Sequence, residues 1–174
     1  MSPRPPRQRP ALSLKGQALA LLARREHSRH ELGTKLWAHA RKIAAADSDG
    51  SSEDTDWQRA IDTLLDELEA QRYLSDARFA ESRVHARAAG QGQARIRQEL
   101  ARHGVELPDD LAQTLRSTEL DRARALWQRR FGVPAQDVRE QARQMRFLAA
   151  RGFSGDVIRR VVHGPAGDEY PGKP

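Results

Sequence analysis

The sequence has no cysteine, and aromatic residues make up only 5% of its 174 positions. Without cysteine there is no disulfide framework, no thiolate zinc site and no cysteine nucleophile, and the composition suits a reducing compartment. Long apolar runs are missing too: no stretch approaches the ~20 residues that cross a bilayer. The basic start MSPRPPRQRP leads into no secretory core, because Lys15, Gln17, Arg24 and Arg25 interrupt the apolar residues behind it. A soluble cytoplasmic protein with no membrane association is expected. The six histidines, His27, His30, His39, His85, His103 and His163, include no His-Glu-x-x-His pair, and no carboxylate cluster accompanies His27 and His30. A phosphate loop is also lacking: Gly90-Gln-Gly92-Gln has no strand before it and no lysine after it, so it reads as a turn between helices. Asp62 and Asp66 fall on a polar helix face with no apolar pocket to perturb them. No catalytic, cofactor or metal site is expected, and the chain reads as a binding protein and not an enzyme.

Helical amphipathicity is abundant. Trp57, Ile61, Leu64 and Leu68 recur at i, i+4, i+7 and i+11, one apolar stripe, while Asp62, Asp66 and Glu69 share another face. Ser28 and Glu31 form a capping box ahead of a helix over 28–42 that carries Leu32 and Leu36. Further helices are predicted over 15–26 on Leu19 and Leu22, then 57–71, 76–89, 93–103, 108–117, 119–131, 135–151 and 155–163. Gly104, Gly132, Gly152 and Gly164 stand where helices should stop. Strand alternation is almost absent, so the fold is expected to be all-α.

Leu100-Ala-Arg-His-Gly104-Val105 resembles Leu148-Ala-Ala-Arg-Gly152-Phe153, and a fainter copy lies around Leu32 and Leu36. These copies predict an elongated tandem array of three three-helix repeats, about nine helices in all. The repeats are expected over 15–75, 76–118 and 119–164, with a basic tail over 1–14 and a flexible tail over 165–174. An acidic loop insert over 44–55 interrupts the first repeat.

Of the 30 basic residues, 26 are arginine, and their distribution is uneven. Residues 1–42 carry +8, 43–76 carry −8, 77–118 carry +2 and 119–174 carry +4. On 135–151, Arg139, Arg143 and Arg146 form a stripe at i, i+4 and i+7, with Val138, Ala142, Met145, Leu148 and Ala149 on the buried side. Arg95 and Arg102 share an outward face of 93–103, and Arg122 and Arg129 do the same on 119–131 against Ala123, Trp127 and Phe131. With Arg24 and Arg25 of the basic head, these are the candidate contacts to a phosphate backbone or an acidic protein face. Arg83 and Arg87 lie beside the apolar face instead and read as structural, either running along an inter-helix groove or paired there with an acid such as those of 57–71. Trp37, Trp57, Trp127, Phe79, Phe131 and Phe153 all fit apolar helical positions or helix junctions, so direct binding to single- or double-stranded DNA would be weak and directed at its backbone. One helix–turn–helix over 93–117, with Arg95 and Arg102 toward a duplex, is the alternative reading, that of a transcription regulator.

Three blocks carry a family likeness: Leu22-Ala-Arg-Arg-Glu-His-Ser-Arg-His-Glu-Leu32, Tyr73-Leu-Ser-Asp-Ala-Arg-Phe-Ala-Glu81 and Ile96-Arg-Gln-Glu-Leu-Ala-Arg-His-Gly-Val105. In order and spacing they resemble the bacterial RecX family of RecA regulators, over about 12–163, and Phe147-Leu-Ala-Ala-Arg-Gly-Phe153 fits the family's third repeat. Arg72 replaces the family's usual glycine before Tyr73, Ser75 replaces the first of two aspartates, and the insert 44–55 is not a usual feature. The resemblance implies a monomer built of tandem three-helix repeats. It also implies that the chain binds RecA and the RecA–DNA filament and restrains strand exchange, ATP hydrolysis and co-protease activity in recombination and the SOS response.

Overall fold

In the computed structural model, residues 12–46 and 54–164 are described, and among them there are nine α-helices and no strand. The helices are α1 (Leu14–Leu22), α2 (Arg29–Ala46), α3 (Asp54–Ala70), α4 (Asp76–Arg87), α5 (Gln93–Arg102), α6 (Asp109–Ser117), α7 (Glu119–Arg130), α8 (Val138–Ala149) and α9 (Gly155–His163). The expected insert over 44–55 is helical at its two ends, where α2 runs on to Ala46 and α3 opens at Asp54. Its centre lies outside the described residues, as do 1–11 of the expected basic tail and the expected flexible tail over 165–174. Two helices are shorter than periodicity alone suggests. α1 stops at Leu22, and α8 opens only after Asp137, whose carboxylate accepts from the Glu140 N–H at 2.7 Å.

The chain divides into two units between Asp76 and Ala77. In the first, α2 packs against both α1 and α3. Leu32, Leu36 and Ala40 of α2 close on Ile61, Leu64, Leu65 and Leu68 of α3, as the two stripes predict. From α1 the buried residue is Ala18 and not Leu19, which is 38% exposed; Leu22 is half-buried. A small side chain at that point permits a close approach to α2, and the longer leucines flank the contact. The Ser28 hydroxyl caps α2 by accepting from the Glu31 N–H at 3.0 Å.

α3 ends in a Schellman motif: the Tyr73 N–H donates to the Leu68 carbonyl at 2.8 Å and the Arg72 N–H to that of Glu69 at 2.9 Å. This motif needs a left-handed residue, and Arg72 supplies it at φ 61°. A side chain there crowds its own carbonyl, which explains why glycine suits the position.

Between α1 and α2 a charged knot surrounds His27, which is buried. Its Nδ1 lies 3.0 Å from the Arg25 carbonyl, and its Nε2 lies 3.5 Å from the Lys35 ammonium and 4.0 Å from the Glu31 carboxylate. Arg25 hydrogen-bonds Glu31 through both terminal nitrogens, and this bond above all holds the Glu31 carboxyl at about 2. Burial is the main cause that pushes the His27 imidazole below its ordinary value, despite the Arg25 carbonyl.

In the second unit, α4–α6 enclose one core around Phe79, Ile96, Leu100 and Leu115. α7–α9 enclose another around Trp127, Leu148, Phe153, Ile158 and Val161. The likeness of 100–105 to 148–153 is structural. The Val105 N–H returns to the Leu100 carbonyl and the Phe153 N–H to that of Leu148, each across a glycine of positive φ.

Two predictions follow from this geometry. Arg72→Gly relieves the left-handed strain and is expected to stabilise the first unit by about 0.5–1 kcal/mol, read as a higher thermal midpoint; a lower one would contradict the strain. An imidazole held neutral in the fold contributes stability above about pH 6.5 that is lost as pH falls through its depressed folded value. His27→Gln should therefore flatten the fall in unfolding free energy that sets in as pH drops below about 6.5. The separate loss below pH 4.5, where Glu31 titrates, should remain. An unchanged upper step would assign it to another group.

Candidate functional site

The candidate arginines separate sharply once their surroundings are visible. In the first unit Arg24 is exposed, but Arg25 is neutralised by Glu31 and is not a free contact. The acidic face of α3 is likewise engaged: Arg29 ion-pairs with Asp66 and Glu69, both at 2.7 Å, Lys15 with Glu67 at 3.6 Å, and Gln58 donates to Asp62. Opposite charges that the sequence places in adjacent blocks thus meet across packed helices.

In the second unit Arg122 departs from its expected outward role. Its Nη1 donates to the Ala88 and Gln91 carbonyls at 2.7 and 2.6 Å, its Nη2 to the Leu115 carbonyl at 2.8 Å, and its Nε to the Thr118 hydroxyl at 3.1 Å. One guanidinium on α7 thereby satisfies main-chain acceptors where α4 and α6 end, and it lies 5.9 Å from the Phe153 ring. Burial pulls this guanidinium below its usual value, with the nearby Glu119 opposing. Arg122 is a structural clamp and not a free surface contact.

Beside the clamp, the ends of α5 and α8 meet backbone to backbone. The Gly92 N–H donates to the Arg151 carbonyl at 2.9 Å and the Ala94 N–H to the Gly152 carbonyl at 3.3 Å. The positive end of α5 thus faces the negative end of α8, which stabilises both. A Cβ on Gly92 would stand 2.2 Å from the Gly152 carbonyl oxygen, and one on Gly152 would stand 2.5 Å from the Arg95 nitrogen. Glu119 closes the same region, accepting from the Ser154 N–H and hydroxyl at 3.3 and 2.9 Å.

Of the two expected roles for Arg83 and Arg87, pairing with an acid is seen: both pair with Glu99 of α5, at 3.7 and 3.2 Å. Arg95 and Arg102 are exposed, and Arg95 donates to the Gln98 side chain. The Arg139, Arg143 and Arg146 stripe does come together, lining a groove of about 440 Å³ with Asp137 and Glu140. The buried face behind it differs from expectation. Val138 is 80% exposed and Ala149 is exposed, while Gln144 is buried, accepting from the Trp127 indole N–H at 2.8 Å. A buried amide suits α8 because the indole needs an acceptor there.

Arg129 is exposed, and it shares a second groove, between α7 and α8, with Leu126, Arg130, Phe147 and Arg151. Arg130 and Arg151 were not singled out by periodicity. The available signal was local: Arg151 stands four residues after Phe147, which puts its side chain over the ring. Among the described residues no three His, Asp or Glu side chains gather as metal ligands, and no helix is long and apolar enough to cross a membrane.

Family models for the second and third three-helix domains of RecX match residues 75–109 and 117–162. The regulatory protein RecX of Leptothrix cholodnii is 51% identical over 156 residues, covering 88% of this chain and 90% of its own. This chain belongs to the RecX family. The RecX of Ralstonia pickettii is 47% identical over 161 residues, covering 91% and 92% of the two chains. The crystal structure of RecX from Lactobacillus salivarius superposes with a TM-score of 0.60 at 21% identity, over 86% of this chain and 92% of that one. RecX architecture, all helical with three-helix domains, is therefore the fold seen here.

Arg122→Lys keeps the charge but cannot reach three carbonyls, so it is expected to cost about 2 kcal/mol. Gly92→Ala drives a methyl into the α8 end and should cost roughly as much or more. Both are read from denaturant unfolding of the full chain. A lysine variant as stable as the wild type would show that charge alone matters at position 122.

Proposed function

We propose that the chain is a regulator that binds the RecA recombinase, chiefly its nucleoprotein filament on single-stranded DNA. Binding restrains ATP hydrolysis, strand exchange and co-protease activity. The observation that carries this reading is the likeness, 51% and 47% identity over most of both chains, to relatives named as RecX regulatory proteins. The chemistry of the surface supports it. Arginines on α5, α7 and α8 stand on a unit whose helix ends are tied together, so several cationic contacts are presented at low ordering cost. Three-helix repeats over 15–75, 76–118 and 119–164 give this monomer its separate contact faces. It acts in the cytoplasm, where its partner works, by binding and not by catalysis. The transcription-regulator alternative is less well supported. The first turn of α6 carries Asp109 and Asp110, the wrong sign for a helix entering a DNA groove, and the first turn of α5 is covered by the end of α8.

Adding the protein to RecA filaments on single-stranded DNA, at about one copy per protomer, should lower ATP hydrolysis severalfold. Hydrolysis that stays unchanged at stoichiometric amounts would contradict this function.

A further inference from the structure

The groove between α7 and α8 has a volume of about 680 Å³, with Leu126 and Phe147 in its walls and Arg129, Arg130 and Arg151 around them. The Arg151 guanidinium stacks over Phe147, 3.7 Å from the ring centroid, and its Nη1 donates to the Phe147 carbonyl at 3.1 Å. Both contacts fix its plane before any ligand arrives, which lowers the cost of binding. Phe147 meets Phe131 edge to face at 5.1 Å, and Arg130 and Arg143 each lie 5.9 Å from the Phe131 ring. One aromatic pair therefore holds guanidinium groups on both sides. Among the described residues, none of Arg129, Arg130, Arg143 and Arg151 has a carboxylate within ion-pairing distance. The two grooves differ in their lining: Asp137 and Glu140 share the stripe groove on α8, whereas no carboxylate lines the α7–α8 groove.

We propose that the α7–α8 groove binds the phosphodiester backbone of a nucleic acid. Phosphate oxygens sit on Arg129, Arg130 and Arg151, and a sugar or base edge lies against Leu126 and Phe147. Charge complementarity selects an anion, and planar guanidinium forks match phosphate oxygens in pairs. A guanidinium already stacked on a ring offers its outer face to a base, a surface that an acidic protein segment does not use. This contact needs no recombinase, so it stands or falls separately from the function proposed above.

The test is fluorescence anisotropy of a labelled thymidine strand of about 30 nucleotides and of a matching-length duplex, titrated with the full chain, without RecA, over a range of salt concentrations. The triple variant Arg129→Ala/Arg130→Ala/Arg151→Ala should lose about tenfold or more in affinity, and its logarithmic salt slope should fall by about 2. A control triple at exposed sites elsewhere, Arg97→Ala/Arg116→Ala/Arg160→Ala, removes the same charge and should change affinity by less than about threefold. Arg129→Glu alone, at an exposed position that leaves the Arg151 stack intact, should weaken binding as well and guards against a folding defect in the triple. The ratio of strand to duplex affinity says which backbone the groove prefers. Equal losses in the two triples would overturn the site, as would a wild type that binds neither DNA. Displacement of the strand by polyglutamate at equal charge concentration would assign the groove to an acidic protein and also overturn the proposal.

Discussion

The second unit depends on how its helix ends are satisfied. The final carbonyls of a helix have no partner inside it, and short helices have proportionally many of them. Here these groups are not left to water. Arg122 takes carbonyls at the ends of α4 and α6, and the last carbonyls beyond α8 accept the first amides of α5. Because each acceptor lies on one group of helices and each donor on another, the α4–α6 core and the α7–α9 core are fastened through their backbones. Side-chain packing alone would tolerate sliding; hydrogen bonds to fixed carbonyls do not.

This fastening changes what the basic charge means. Arginine at positions 25, 29, 83, 87 and 122 is spent on carboxylates or carbonyls inside the fold. Exposed arginines remain on several helices, and those of α7 and α8 form one group among them. There, guanidinium groups lie beside Phe131 and Phe147 or line the α8 stripe. A net charge of +6 thus sums groups of two kinds, those paired inside the fold and those left on its surface.

Much of the fold was legible in the sequence because its signals are local. The Ser28 hydroxyl cap of α2, the glycine stops at 104 and 152 and the stripe from Ile61 to Leu68 each act within one helix or its cap, and each forms as read. The candidate site was legible only in part. Periodicity says which face of α7 carries Arg122 but not that three carbonyls of other helices await it. Gly90-Gln-Gly92-Gln reads correctly as a turn, yet Gly92 has an ordinary φ of −78° and is small for a tertiary reason, the backbone of Gly152. Val138, expected on the buried side of α8, stands exposed, while Gln144 is buried for a tertiary reason, since only the fold reveals that the Trp127 indole needs an acceptor.

Fastened in this way, the two helix groups of the second unit should open together. Native-state hydrogen exchange of the Gly92 and Ala94 amides addresses this most directly. These amides stand at a helix N-terminus, where exchange is normally fast because fraying is cheap. Bonded to α8, they should exchange only through the same opening as the buried Leu148 amide, within about 1 kcal/mol. Fast exchange at Gly92 and Ala94, with Leu148 still protected, would show that the joint opens independently and would contradict the account.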